Sequence, residues 1–83
     1  MRLDKFLQVS RLIKRRTVSK AMVEEGRVSV NGRVAKPATP VAVGDRLVLD
    51  LPRGRLAVEV VDVREHVAAR DAADLYRVVD PER

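Results

Sequence analysis

The apolar residues of this chain repeat with one period before Gly26 and with another after it. Up to Gly26 they recur at i, i+3 and i+4, the spacing of a helix face. From Val28 they alternate, the spacing of a strand. A chain patterned in this way builds helices first and strands second, the order of an α+β domain. At 83 residues there is room for one such domain. With 46% hydrophobic residues a packed core is expected, and with no cysteine neither a disulfide nor a thiolate metal site contributes to it. No apolar run approaches the roughly 18 residues of a membrane span, and no secretory h-region follows Met1. The expectation is a soluble cytoplasmic protein that makes no use of a membrane.

Leu3, Phe6 and Leu7 form the stripe of a first short helix, with Arg2, Asp4 and Lys5 off it. Leu12 and Ile13 can bury where Arg11, Lys14, Arg15 and Arg16 face outward. Thr17 is placed to N-cap a second helix whose apolar face is Val18, Ala21 and Met22, and Gly26 is placed as its C′ residue. Asn31-Gly32 between Val28-Val30 and Val34 is the signature of a tight hairpin, since both residues tolerate positive φ. Leu47, Leu49 and Leu51 share a face of a third strand that ends at Pro52-Arg53-Gly54. A long strand from Leu56 to Arg64 changes apolar phase near Val60-Val61, which predicts a bulge there. Residues 68–74 fit a short helix and 75–79 a last strand. The predicted architecture is two N-terminal helices packed on a small, mostly antiparallel sheet of about five strands. Residues 1–80 are expected to form this single domain, with 81–83 a frayed tail. Leu3, Phe6, Leu7, Val18, Met22, Val28 and Val30 are expected in the core.

Charge divides the chain as sharply as period does. Residues 1–36 hold ten Lys or Arg against three Asp or Glu, a net +7, whereas residues 37–83 hold seven against nine, a net −2. A basic front on a faintly acidic body is the footprint of a protein that meets phosphates with one face. Arg outnumbers Lys 13 to 4, and its planar fork suits phosphates and base edges. With Phe6 and Tyr76 the only aromatic residues among Phe, Trp and Tyr, binding by stacking of many bases is not expected. Catalysis finds no place either. His66 is the single histidine and has no Cys or Ser partner nearby, so it reads as an ordinary surface or core residue. The acidic residues are scattered apart from Glu24-Glu25, whose side chains diverge on a helix. No phosphate loop, zinc spacing or nucleophile elbow is present, and no metal or cofactor is expected. The candidate RNA-binding residues are Arg2, Lys5, Arg11, Lys14, Arg15 and Arg16, with Lys20, Arg27 and Arg33 as outer members. The plainer reading of these nine is a solvated basic face without a ligand. On the binding reading, a folded basic helix pair recognises helical shape and phosphates more than sequence.

The stretches Arg2-Leu3-Asp4-Lys5-Phe6-Leu7, Gly26-Arg27-Val28 with Val30-Asn31-Gly32, and Gly44-Asp45 resemble, in this order and spacing, the S-four RNA-binding domain, or alpha-L motif. The resemblance covers about residues 1–50. Among short members, the front, the length and Ala72-Ala73-Asp74-Leu75-Tyr76 look most like the branch that serves ribosome-associated quality control. The heat-shock-fifteen group comes next, although its long basic C-terminal extension has no counterpart here. The resemblance implies a protein that catalyses nothing, and a monomer is expected. It implies binding to large-subunit rRNA and to peptidyl-tRNA on a split large ribosomal subunit, beside a factor that adds a C-terminal alanine tail to the stalled chain. It further implies that the contacts centre on Arg2 and Arg16. Two alternatives stay open: a heat-shock-fifteen-like rescue or assembly factor, and an RNA-targeting module acting in trans with an RNA-modifying enzyme.

Overall fold

The computed structural model of the protein describes residues 1–79, so the tail expected at 81–83 lies outside the described residues. Helices α1 (Leu3–Val9) and α2 (Arg16–Glu24) precede strands β1 (Val28–Val30), β2 (Arg33–Val34), β3 (Arg46–Leu51) and β4 (Gly54–Val60), a 3₁₀ helix (Ala69–Leu75) and β5 (Tyr76–Val79). The strands form one sheet in the order β2-β1-β3-β4-β5, and every neighbouring pair is antiparallel. This is the α+β arrangement that the two periods predict, and it is the alpha-L arrangement that the resemblance implies.

The core lies between the helices and one face of the sheet. Leu3, Phe6, Leu7, Ile13, Met22 and Val23 from the helical half meet Val28, Leu47, Leu49, Val58, Val60 and Leu75 from the sheet half. Alternation then puts Ser29, Val48, Asp50 and Arg55 on the opposite face, open to solvent at one side. Leu51 and Val30 are half-buried at the margin of the core.

Neither α-helix starts with a side-chain cap. At α1 the orphan N–H groups are met by a loop instead: Leu3 donates to the Thr39 carbonyl at 2.9 Å and Asp4 to that of Pro37 at 3.2 Å. Val41 donates to the Met1 carbonyl at 2.8 Å, so the 37–41 loop clasps the first turn from both sides. Thr17 does not cap α2. The helix begins two residues earlier than that cap implies, at Arg16, from an extended Arg15, and Thr17 lies exposed in its first turn. The buried face of α2 is correspondingly rotated to Ser19, Met22 and Val23, leaving Val18 45% exposed and Ala21 in solvent. Ser19 takes the innermost position because its hydroxyl is satisfied there, bonding the carbonyls of Arg16 at 2.9 Å and, across the helix pair, Asp4 at 3.3 Å. Asp4 departs from expectation in the same sense: it is fully buried and not on the solvent side of α1.

The turns follow the glycine signals. Gly26, at φ +76°, donates to the Val23 carbonyl while Arg27 donates to that of Met22, the paired bonds of a Schellman end. Asn31 and Gly32 are both at positive φ, as the β1–β2 hairpin requires. The Asn31 amide further joins two turns, donating to Asp45 at 3.1 Å and accepting from the Arg46 N–H at 2.9 Å. β4 is shorter than the predicted 56–64 strand. It ends at Val60, and the Val61 and Asp62 N–H groups both donate to the Leu75 carbonyl, at 2.8 and 3.2 Å. Two residues facing one is the pattern of a bulge, one step later than predicted, and it turns the chain out of the sheet toward the 62–68 segment.

Candidate nucleic-acid interface

The helical half presents its cations in two groups, both built by the short connection between α1 and α2. α1 stops at Ser10, whose hydroxyl donates to the Leu7 carbonyl at 3.3 Å. Arg11 follows in the left-handed region, at φ 59°, where glycine is the usual residue. Ile13 then returns its N–H to Leu7 at 3.1 Å and buries its side chain. The loop is therefore pinned at both ends, and Arg11 and Lys14 are held exposed on its outer side.

Lys5, Arg11 and Lys14 line one cleft of about 370 Å³, together with Gln8 and Val9 of α1 and Glu65, His66 and Val67 of the segment after β4. None of the three cations has an ion-pair partner among the described residues. Arg16 and Lys20 form the second group. They stand one turn apart on α2, beside its buried face, with Arg15 at the helix start, and all three are exposed.

The remaining candidates stand differently. Arg2 is committed to Asp4, its Nε and an Nη donating to the two carboxylate oxygens at 3.1 and 3.2 Å. The guanidinium stays half exposed while the carboxylate is buried and also accepts the Lys5 N–H at 2.8 Å. This arrangement fixes a cation at the start of α1 and leaves its outer N–H groups for a ligand. Arg33 pairs with Val30 and so lies on the helix side of the sheet, on the exposed edge strand β2. Arg27 is not with the others. It lies in a shallow groove on the outer sheet face with Ser29, Val48, Asp50 and Arg55, and Glu25 sits 3.6 Å from its guanidinium.

Sequence reasoning missed Gln8, Glu65, His66 and Val67. Nothing local marks them, because it is the bulge at Val61-Asp62 and the return through Leu75 that carry residues 65–67 to α1. Among the described residues no cluster of His, Cys, Asp or Glu is arranged to hold a metal ion.

Two helices displaying cations on an antiparallel five-stranded sheet define the class of alpha-L RNA-binding modules. The chain belongs to the S4 domain family, whose sequence profile matches residues 1–47. It is 53% identical over 78 residues to the RQC P-site tRNA stabilizing factor of Halalkalibacterium halodurans, covering 94% of this chain and 89% of that one. The Listeria monocytogenes protein of the same name is 45% identical over all 83 residues, 90% of its own length. Among solved structures, heat shock protein 15 of Vibrio cholerae superposes with a TM-score of 0.88 at 32% identity, over 95% of this chain and 81% of that one.

Proposed function

We propose that the protein is a non-catalytic RNA-binding component of ribosome-associated quality control, acting in the cytoplasm as a monomer. It binds the large ribosomal subunit that still carries peptidyl-tRNA, contacts rRNA and the tRNA together, and supports addition of C-terminal alanine to the stalled chain by a factor on the same subunit. The observation that carries this reading is the exposed cationic face of α1, the 10–15 loop and α2, on which Lys5, Arg11, Lys14, Arg15 and Arg16 have no ion-pair partner among the described residues, in a chain related over most of its length to P-site tRNA stabilizing factors. Phosphate contacts from a fixed surface position a bound RNA without reading its sequence, which is what holding a tRNA in place requires. The contacts centre on Arg2 and Arg16, flanked by Lys5, Arg11, Lys14 and Arg15. Lys20 and Arg33 are peripheral, and Arg27, on the other sheet face beside Glu25, falls outside the proposed contact surface.

The test is a non-stop reporter in a strain lacking the protein, read for alanine tails, with sedimentation of the protein in extracts of the parent strain. The expected results are loss of tails on deletion and recovery of the protein in the large-subunit fraction at low and moderate salt. Tails that persist without it contradict the tailing role. Absence from that fraction contradicts the whole reading. The similarity to heat shock protein 15 supports a second reading, a rescue or assembly factor on the same subunit; tails unchanged on deletion, with subunit binding kept, is its expected result.

A further inference from the structure

We infer that the cleft between α1, the α1–α2 loop and residues 65–67 seats a single unpaired RNA nucleotide, with His66 and Gln8 as base- or ribose-contacting residues. The inference rests on the RNA-binding reading above and brings residues of the faintly acidic second half into the same site.

Three properties of the cleft support it. Its lining carries both signs of charge: Lys5, Arg11 and Lys14 come from α1 and the loop after it, and the one carboxylate, Glu65, comes with His66 and Val67 from the segment after β4. A bare phosphate has no use for Glu65, but a nucleotide does. Its phosphate meets the cations, and the amino group of its base donates to the carboxylate. The lining is also mixed in character. Val9 and Val67 supply half-buried apolar surface, Gln8 an exposed amide that donates and accepts, and His66 an exposed ring face on which a base stacks. Finally, the size is right for one nucleotide and not for a duplex, at about 370 Å³. Arg11 strengthens the case. It lines the cleft from a pinned loop with a left-handed backbone, its side chain is exposed, and the plane of a guanidinium is a second stacking surface. RNA proteins read unpaired nucleotides in this manner, whereas a regular A-form helix offers them only its backbone and shallow groove.

The experiment measures binding of the full chain to two RNAs, a fully paired duplex and the same duplex with one unpaired nucleotide, and to purified large subunits. The unpaired nucleotide is expected to tighten binding fivefold or more. The double variant Q8A/H66A should abolish that preference while binding the paired duplex as the parent does, and both positions are exposed, so the fold is kept. Arg53→Ala, a cation removed from the β3–β4 turn, should leave the preference intact. Equal affinity of the parent for the two RNAs, or an undiminished preference in Q8A/H66A, overturns the nucleotide seat. Failure of the parent chain to bind large subunits, whatever the duplexes show, contradicts instead the functional reading on which it rests.

Discussion

Arg11 holds a backbone conformation unfavourable for any residue with a Cβ, and does so with its side chain in solvent, where packing gives no reason for it. Arg11→Gly should therefore raise the unfolding free energy by about 0.5–1 kcal/mol in urea titration, since the strain relieved exceeds the added freedom of the unfolded chain. The same change should weaken binding to large subunits. Arg11→Ala should weaken binding equally and bring no gain in stability, which separates charge from strain. Asp4 is the opposite case, a charge wholly inside. Asp4→Ala should cost about 1–3 kcal/mol, because the Lys5 N–H and the Arg2 guanidinium lose their acceptor. Circular dichroism during urea unfolding checks this, and an unchanged midpoint would contradict it. Residue types on the surface were readable from the chain itself, whereas Asp4 and Ser19 were not. A polar side chain goes inside when a particular partner waits there: for Ser19 it is the Asp4 carbonyl fifteen residues away, set by tertiary packing, and for Asp4 it is the local Arg2 guanidinium and Lys5 N–H, whose use no apolar period marks.

At the scale of elements, turn chemistry was the most legible part of the chain. Gly26, Asn31 and Gly32 adopt the positive φ that their types announce, and the helices and strands they separate fall where the period changes. Helix faces were less legible. The stripe expected on α2 was Val18, Ala21 and Met22, and the buried face is instead Ser19, Met22 and Val23, set by Ser19 docking on α1, a contact fifteen residues away in sequence. Helix starts were least legible, because the donors of α1 are satisfied by backbone carbonyls of residues 37 and 39, which no capping rule detects. The hairpin offers a clean test of how two turns are joined. Asn31→Gly keeps the backbone conformation and removes the side-chain bonds to Asp45 and Arg46; Asn31→Ala removes both advantages. Thermal unfolding should rank the chains parent, Gly, Ala, with Ala about 1–2 kcal/mol below the parent. Equal stability of the Gly variant and the parent would show that the amide bonds contribute nothing.

Across the whole molecule, the charge asymmetry becomes a division of surfaces. The cations of the helical half stand on the helix side of the sheet, while much of the acidic body is used internally: Glu59 with Arg77, Asp62 with Arg64, Asp45 with Asn31. The body is not wholly scaffold, since the bulge after β4 returns residues 65–67 to α1. That juxtaposition joins parts of the chain some sixty residues apart and leaves no local trace in sequence. If about five phosphates are neutralised by this face, the logarithm of the association constant for large subunits should fall against log salt with a slope of roughly −3 to −4, and by about one unit less in Arg16→Ala. A flat dependence would exclude a phosphate-dominated contact. The measurement that bears most directly on the central claim is an electron-microscopic image of the protein on a large subunit carrying peptidyl-tRNA. It should find α1, the 10–15 loop and the Arg16–Lys20 side of α2 against RNA, with the outer sheet face of Ser29, Val48 and Arg55 turned away. RNA lying on that outer face, or a helical face open to solvent, would contradict the account.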